Sequence, residues 1–389
     1  MVDYENMLND TVRNMKPSGI RRFFDMLNGM DDVVALTVGQ PDFITPWHIR
    51  ESAIESIEKG KTYYTSNAGM IELRLEISKY MKRRFNLNYQ PKDEIFVTVG
   101  GSEAIDLAMR AILSPGDEVI LPQPAFVCYE PIAQMQGAKV VHINTKLENS
   151  FKVTAEEIKQ AITPKTKMLV LPFPNNPTGA ILTRDELEEI AEVLRGTNIC
   201  VLSDEIYAEL TYGRNHVSIA EIDGMWERTV IASGFAKAYA MTGWRLGYLC
   251  APAPLITEML KIHQYGIMCA PTASQFAGIE AMRYGDEDVE YMRNEYNRRR
   301  VFLLNGLRDL GIECFEPEGA FYMYPNIGTF GLSSEEFAQR LLHEGKCAIV
   351  PGTAFGESGE GFARISYAYS LKHLSQALER IESFIKTLK

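Results

Sequence analysis

The chain has 389 residues, 46% hydrophobic and 23% charged, and its 40 Lys+Arg against 51 Asp+Glu give a formal net charge of −11. Such acidity argues against a nucleic-acid or membrane partner, since both call for clustered Lys and Arg, but it leaves room for a local anion site. No apolar run approaches the ~18 residues of a membrane span, Met1 to Asn14 lacks a signal-peptide core, and six scattered cysteines form no Cys-x-x-Cys pair. A cytoplasmic protein with reduced thiols is expected.

At roughly 150 residues per domain the length suits two or three domains, or one large α/β body with an accessory domain. Thr45-Pro46 opens a predicted helix with Ile49, Ala53 and Ile57 on its apolar stripe, and a second helix runs from near Gly69 to Phe85. Ile95 to Val99, a helix from Ser102 to Leu113, the turn Ser114-Pro115-Gly116-Asp117 and Val119 to Leu121 then read as a βαβ unit. Short apolar runs continue at 138–143, 167–171, 199–203, 229–232 and 246–250, as expected for strands covered on both faces. A mostly parallel sheet between helices follows. Long helices are expected at about 255–266, 272–284 and 286–310, with Tyr291 to Arg300 as a solvated face. The last part reads as a small α+β unit: apolar segments at 320–324, 348–350 and 363–367 alternate with helices near 334–343 and 371–387, the first capped by Ser333-x-x-Glu336.

Two familiar phosphate signals fail. Gly60-Lys61-Thr62 lacks the glycine five positions earlier that a Walker A loop needs, and no G-x-G-x-x-G follows a strand. No His or Cys spacing suggests a metal. The informative stretch is Ser233-Gly-Phe-Ala-Lys237-Ala-Tyr-Ala-Met-Thr-Gly243-Trp244-Arg245. Lys237 stands among small and apolar residues, where desolvation lowers an amine's pKa and frees it for a Schiff base. Arg245 is suited to clamp a phosphate.

This stretch resembles the lysine signature of pyridoxal-phosphate (PLP) enzymes of the aspartate aminotransferase fold family (fold type I, class I/II), and other motifs agree in order and spacing. The resemblance implies an α/β fold with a large PLP-binding domain at 46–285 and a small α+β domain built from 1–45 and 286–389. It makes Asp204, in Ser203-Asp204-Glu205-Ile206-Tyr207, the partner of the cofactor's ring nitrogen, with Tyr207 on its phenolic oxygen and Ile206 on one ring face. Asn176, in Asn175-Asn176-Pro177-Thr178-Gly179, joins Tyr207 there and also borders the substrate. Gly101, Ser102 and Glu103 would open a helix whose N-terminal N–H groups receive the phosphate. Phe126 corresponds to the aromatic that stacks on the ring. Tyr64 corresponds to the tyrosine that reaches the phosphate from a neighbouring subunit, which implies a homodimer. Arg364 matches the arginine for the substrate α-carboxylate, and Gly39 the segment folding over it, with Pro17-Ser-Gly-Ile-Arg21 in the same flap. Hydroxyls common in relatives one and three residues before the lysine are replaced here by Ala236 and Gly234, and Ser233 is no assured substitute.

The activity so implied is an aminotransferase that moves an amino group from an L-amino acid to a 2-oxo acid by ping-pong chemistry through a Lys237 aldimine, with Lys237 as the general base. A carbon–sulfur β-lyase is the alternative on the same fold. A PLP-binding transcription regulator would need a DNA-binding module for which the chain has no spare segment. His263-Gln264-Tyr265 and Cys269-Ala270-Pro271 are similar to a bacterial branch that includes aspartate, aromatic and N-acetyl-diaminopimelate aminotransferases, so the donor stays open. No motif places a second arginine opposite Arg364, although Arg21 and Arg22 lie in the flap.

Overall fold

A two-residue strand, β1 (Val34–Ala35), precedes a seven-stranded sheet made of β2 (Ile95–Thr98), β3 (Glu118–Gln123), β4 (Lys139–Asn144), β5 (Thr166–Leu171), β6 (Cys200–Asp204), β7 (Thr229–Gly234) and β8 (Gly247–Cys250). The strand order is β2-β8-β7-β6-β5-β3-β4, parallel throughout except for β8, which runs against both its neighbours. The computed structural model describes residues 2–17, 19–20, 30 and 32–388, so Arg21 and Arg22 lie outside the described residues.

Alternation along each strand divides two apolar layers. Val119, Leu121, Met168, Val170, Leu202, Val230 and Leu249 face the helices Gly101–Ile112 and Ala253–Gly266. On the other side Ile231, Tyr248 and Cys250 meet the helices Trp47–Glu58, Ile71–Phe85 and Thr272–Tyr284, while Ile120, Leu169, Leu171 and Val201 meet Ala155–Ala161 and Arg184–Leu194. Strand β4 departs from the expected two-sided cover: Lys139, His142 and Asn144 are exposed because it is an edge strand, paired only with β3.

Beyond the long helix Asp286–Asp309, β9 (Tyr322–Met323), β10 (Cys347–Ala348), β11 (Val350–Pro351) and β12 (Ala363–Ser366) complete the strands, with helices Ser334–His343 and Leu371–Thr387. The expected single segment 348–350 is two strands in two sheets, since β10 pairs in parallel with β1 and β11 pairs with β12. Both chain ends share one core, in which Val34 and Leu36 pack with Leu303, Phe321, Phe337, Ile365 and Phe384.

Three local expectations change. Thr45 does not cap the helix that starts at Trp47; its buried hydroxyl donates to Ala240 O at 2.6 Å, and Ile57 is exposed while Ser56 takes the buried position. Only half of the Ser333–Glu336 box forms, with the Ser333 hydroxyl accepting from Glu336 N–H. The 291–300 stretch is not wholly solvated, because Arg299 falls on the buried face with Met292, Tyr296 and Leu303.

Candidate active site

The parallel strands deliver their C-terminal ends to one edge of the sheet, where α/β folds place ligands. β6 ends at Asp204, β7 is followed by Lys237, β5 by Asn176, β3 by Phe126, and β2 by the turn into the helix at Gly101, while Arg245 enters antiparallel β8 from the same side. A single cavity there is lined by Gly39, Gly101, Ser102, Phe126, Asn176, Asp204, Ile206, Tyr207, Lys237, Arg245 and Arg364. Of the residues singled out in the sequence, Glu103 and Tyr64 do not line it. The Glu103 carboxylate turns to Val99 N–H and to His263 Nδ1, the latter at 2.7 Å, and Tyr64 is exposed on the surface. Ser233 is buried outside the cavity and donates to Glu205 O at 3.3 Å.

Lys237 Nζ donates to Gly39 O at 2.6 Å and stands 5.7 Å from the ring centres of both Tyr207 and Phe321. Burial, then the like charges of Arg364 and Arg245, bring its amine down to about 8. Asp204 is a buried carboxylate whose pKa is raised by that burial, opposed by the Tyr129 hydroxyl donating at 2.6 Å and by Ile206 N–H at 3.1 Å. Tyr207 shares a hydrogen bond between hydroxyls with Tyr322 at 2.8 Å. A Cβ on Gly39 would lie 2.5 Å from the Tyr322 hydroxyl, so only glycine lets this segment approach so closely.

Arg364 is fully enclosed. Its Nη1 donates to Asn176 Oδ1 at 2.9 Å and its Nη2 to Thr37 O at 2.7 Å, while the guanidinium lies 4.5 Å from the Tyr322 ring centre and 4.8 Å from that of Phe355. Its Nε is buried without a partner, a donor aimed for an acceptor the protein does not supply. At the other end the helix Gly101–Ile112 starts from Gly100 at φ +83° with no side-chain cap, and a Cβ on Gly100 would meet the Arg245 guanidinium at 2.7 Å. Bare N–H groups beside an arginine make an anion cradle.

Tyr129 and Tyr322 were missed in the sequence although both touch expected site residues. Tyr129 follows Phe126 by about one helical turn, which was the available signal; Tyr322 lies in an apolar segment that reads as core. Ile20 also lines the cavity, from the stretch read as a flap.

A half-buried amine of low pKa, a buried carboxylate and two arginines at one sheet edge suit an enzyme of amine and carboxylate chemistry. The chain belongs to the family Aminotransferase class I and II, whose description matches residues 31–381, and it is an aminotransferase. It is 50% identical to "Putative aminotransferase YugH" of Bacillus subtilis (strain 168), across 97% of this chain and 98% of that one, and 45% identical to the "Probable N-acetyl-LL-diaminopimelate aminotransferase" of the same organism, across 98% and 96%. Its structure resembles the crystal structure of the aromatic aminotransferase from Pyrococcus horikoshii OT3, with a TM-score of 0.90, 42% identity and coverage of 94% and 99%.

Proposed function

We propose that this aminotransferase works with PLP attached to Lys237, and that the cavity divides into a cofactor half and a carboxylate half. The observation that carries the reading is Lys237 itself, an amine held at about 8 between Asp204 and the two arginines. The donors present fit the cofactor. The glycine turn, Gly101, Ser102 and Arg245 offer a phosphate cradle, Asp204 a carboxylate for a protonated ring nitrogen, Tyr207 and Asn176 donors for the phenolic oxygen, and Phe126 and Ile206 apolar faces. When bound, PLP supplies the electron sink that lets a substrate α-carbon lose its proton. Arg364, with Asn176 and Gly39, binds the substrate α-carboxylate and orients the α-carbon toward Lys237. Once the donor's amine has released it, Lys237 Nζ would take the proton from that carbon, and in the half-reaction with the 2-oxo acid it would deliver one to the acceptor's α-carbon, a role for which an amine titrating near neutrality is suited.

Three wider readings accompany this. A second copy contributes Tyr64, supported by the exposed cluster of Tyr63, Tyr64, Tyr265, Ile267 and Met268, whose two segments are tied by Asn67 Nδ2 to Met268 O at 2.8 Å and Thr272 Oγ1 to Tyr63 O at 2.7 Å. Residues 46–285 form the large domain and 1–45 with 286–389 the small one, supported by the shared core of the two chain ends. The six unpaired cysteines support a cytoplasmic setting.

The test is a panel of amino donors with 2-oxoglutarate as acceptor, run on wild type and Lys237→Ala reconstituted with PLP. Wild type should show lysine-bound cofactor absorbance near neutral pH and convert at least one donor; the variant should do neither. Wild-type turnover by the variant would refute the assignment, and half-reaction spectra for each donor identify the substrate.

A further inference from the structure

The segment Leu36 to Thr45 is held from both sides of the molecule. Thr37 O accepts from Arg364 and Gly39 O from Lys237, and the buried Thr45 hydroxyl joins Ala240 O and accepts from Trp244 Nε1 at 3.1 Å. Between these anchors Arg299, on the helix Asp286–Asp309, donates from Nη1 to Asp42 Oδ1 at 2.7 Å. Its guanidinium also lies 5.1 Å from the ring centre of Phe43 and 5.5 Å from that of Tyr296, and Phe43 packs edge-on against Tyr296 at 5.3 Å.

Arg299 is 8% exposed and shares its helix face with Met292, Tyr296, Leu303 and Leu307. A guanidinium in an apolar stripe is costly unless paired, and packed hydrophobes in its place are often no worse for stability. Two of its three engagements, with Asp42 and Phe43, point to the segment over the cavity, and the third, Tyr296, packs against Phe43. A planar fork can bond a carboxylate while its face lies on an aromatic ring, which an ammonium cannot reproduce.

We infer that Arg299 is a positioning residue for the reaction: by gripping Asp42 and Phe43 it fixes the backbone at Gly39 above Lys237, three residues away along the chain. It thereby sets the geometry in which a donor carboxylate meets Arg364 while its amine meets Lys237. The inference rests on the proposed roles of Lys237 and Arg364. Loss of the grip frees Gly39 O from Lys237 Nζ, which removes an acceptor that favours the protonated amine beside Asp204, Arg245 and Arg364.

Arg299→Met, Arg299→Lys, Asp42→Asn and the Asp42→Asn/Arg299→Met pair, reconstituted with PLP, test it. Arg299→Met should raise KM for the amino donor about 10-fold or more with a smaller change in kcat, in the range by which remote misplacement affects catalysis. Acylation of Lys237 in the cofactor-free variant, read by mass spectrometry at one pH, should be faster than in wild type. Arg299→Lys should recover only part of the loss, and the double variant should be no worse than the more damaged single one. If Arg299→Met does not fold, Asp42→Asn, which changes a partly exposed side chain without changing its size, must show the KM rise and the faster acylation alone. Unchanged KM and Lys237 reactivity in a folded variant, with only melting altered, overturn the inference. A wild type that neither attaches PLP to Lys237 nor transaminates overturns the functional reading beneath it, and the two failures are thus distinct.

Discussion

Replacing Tyr129 by Phe removes one hydroxyl and little volume, yet it strips a 2.6 Å hydrogen bond from a buried carboxylate. A hydrogen bond to a charged group contributes about 1.5–3 kcal/mol. Losing it should cost about that much stability while Asp204 is ionised, and should push the Asp204 pKa further up, beyond the rise burial already causes. The sign follows from linkage. A carboxyl whose folded pKa exceeds its unfolded one opposes folding at high pH and ceases to do so once both states are protonated, so the variant's loss of stability should be full above its own folded pKa and vanish below that of wild type. Thermal melts of cofactor-free wild type and Tyr129→Phe from acid to mildly alkaline pH check the first part. In the reconstituted enzyme the acidic limb of kcat/KM should move to higher pH, because a protonated Asp204 cannot hold a proton on the ring nitrogen. An acidic limb that stays in place, with a melting difference independent of pH, would refute the claim that Tyr129 keeps Asp204 ionised.

Two more outcomes follow from the same cavity. Acylation of Lys237 in the cofactor-free protein should rise with pH through a midpoint at about 8, because the depressed pKa leaves the amine neutral above that value; Arg364→Met, which removes a like charge, should move the midpoint upward. A midpoint near that of an ordinary surface lysine in wild type would contradict the burial argument. Gly100→Ala places a Cβ 2.7 Å from the Arg245 guanidinium at φ +83° and ψ 169°, a backbone region essentially reserved for glycine, at a cost of about 1–3 kcal/mol. Fluorescence titration should show weaker PLP binding with Lys237 reactivity preserved, and unaltered binding would argue against a phosphate site at this turn.

The sheet was legible because its strands are short apolar runs, most of them rich in β-branched residues, so the pattern located Ile95, Val119, Met168, Val201, Val230 and Leu249 in strands. Asp204, Asn176, Lys237 and Arg364 were legible through motif resemblance, and the cavity contains all four. What stayed hidden depends on contacts distant in sequence. Tyr322 meets Tyr207 across 115 positions and Glu103 meets His263 across 160, and no local pattern reports either pairing. Arg299 escapes the sequence reading for a different reason: its neighbour Arg298 is solvated and pairs with half-buried Glu295, and a run of three arginines does not tell by composition which one the helix turns inward. Thr45 illustrates competition, since a good capping hydroxyl was claimed by Ala240 O, 195 residues on.

Charge also divides by location in a way the total of −11 conceals. Among the described lining residues the cavity holds Lys237, Arg245 and Arg364 against one carboxylate, Asp204. Arg364 can remain buried without an acidic partner because Asn176, Thr37 O and the two aromatic faces occupy its fork and its plane, but they leave Nε bare. On the proposed reading, that residual donor is the one a substrate carboxylate would complete. An acidic exterior repels polyanions at long range, whereas salt screens it within about 10 Å at 0.1 M, so a small anion that reaches the cavity meets the local cations rather than the net charge. On the proposed reading, small anionic substrates would be favoured because Arg364 is buried and fixed in place beside Lys237 beneath the Gly39 segment, while the exposed Arg245 faces the phosphate end of the cavity.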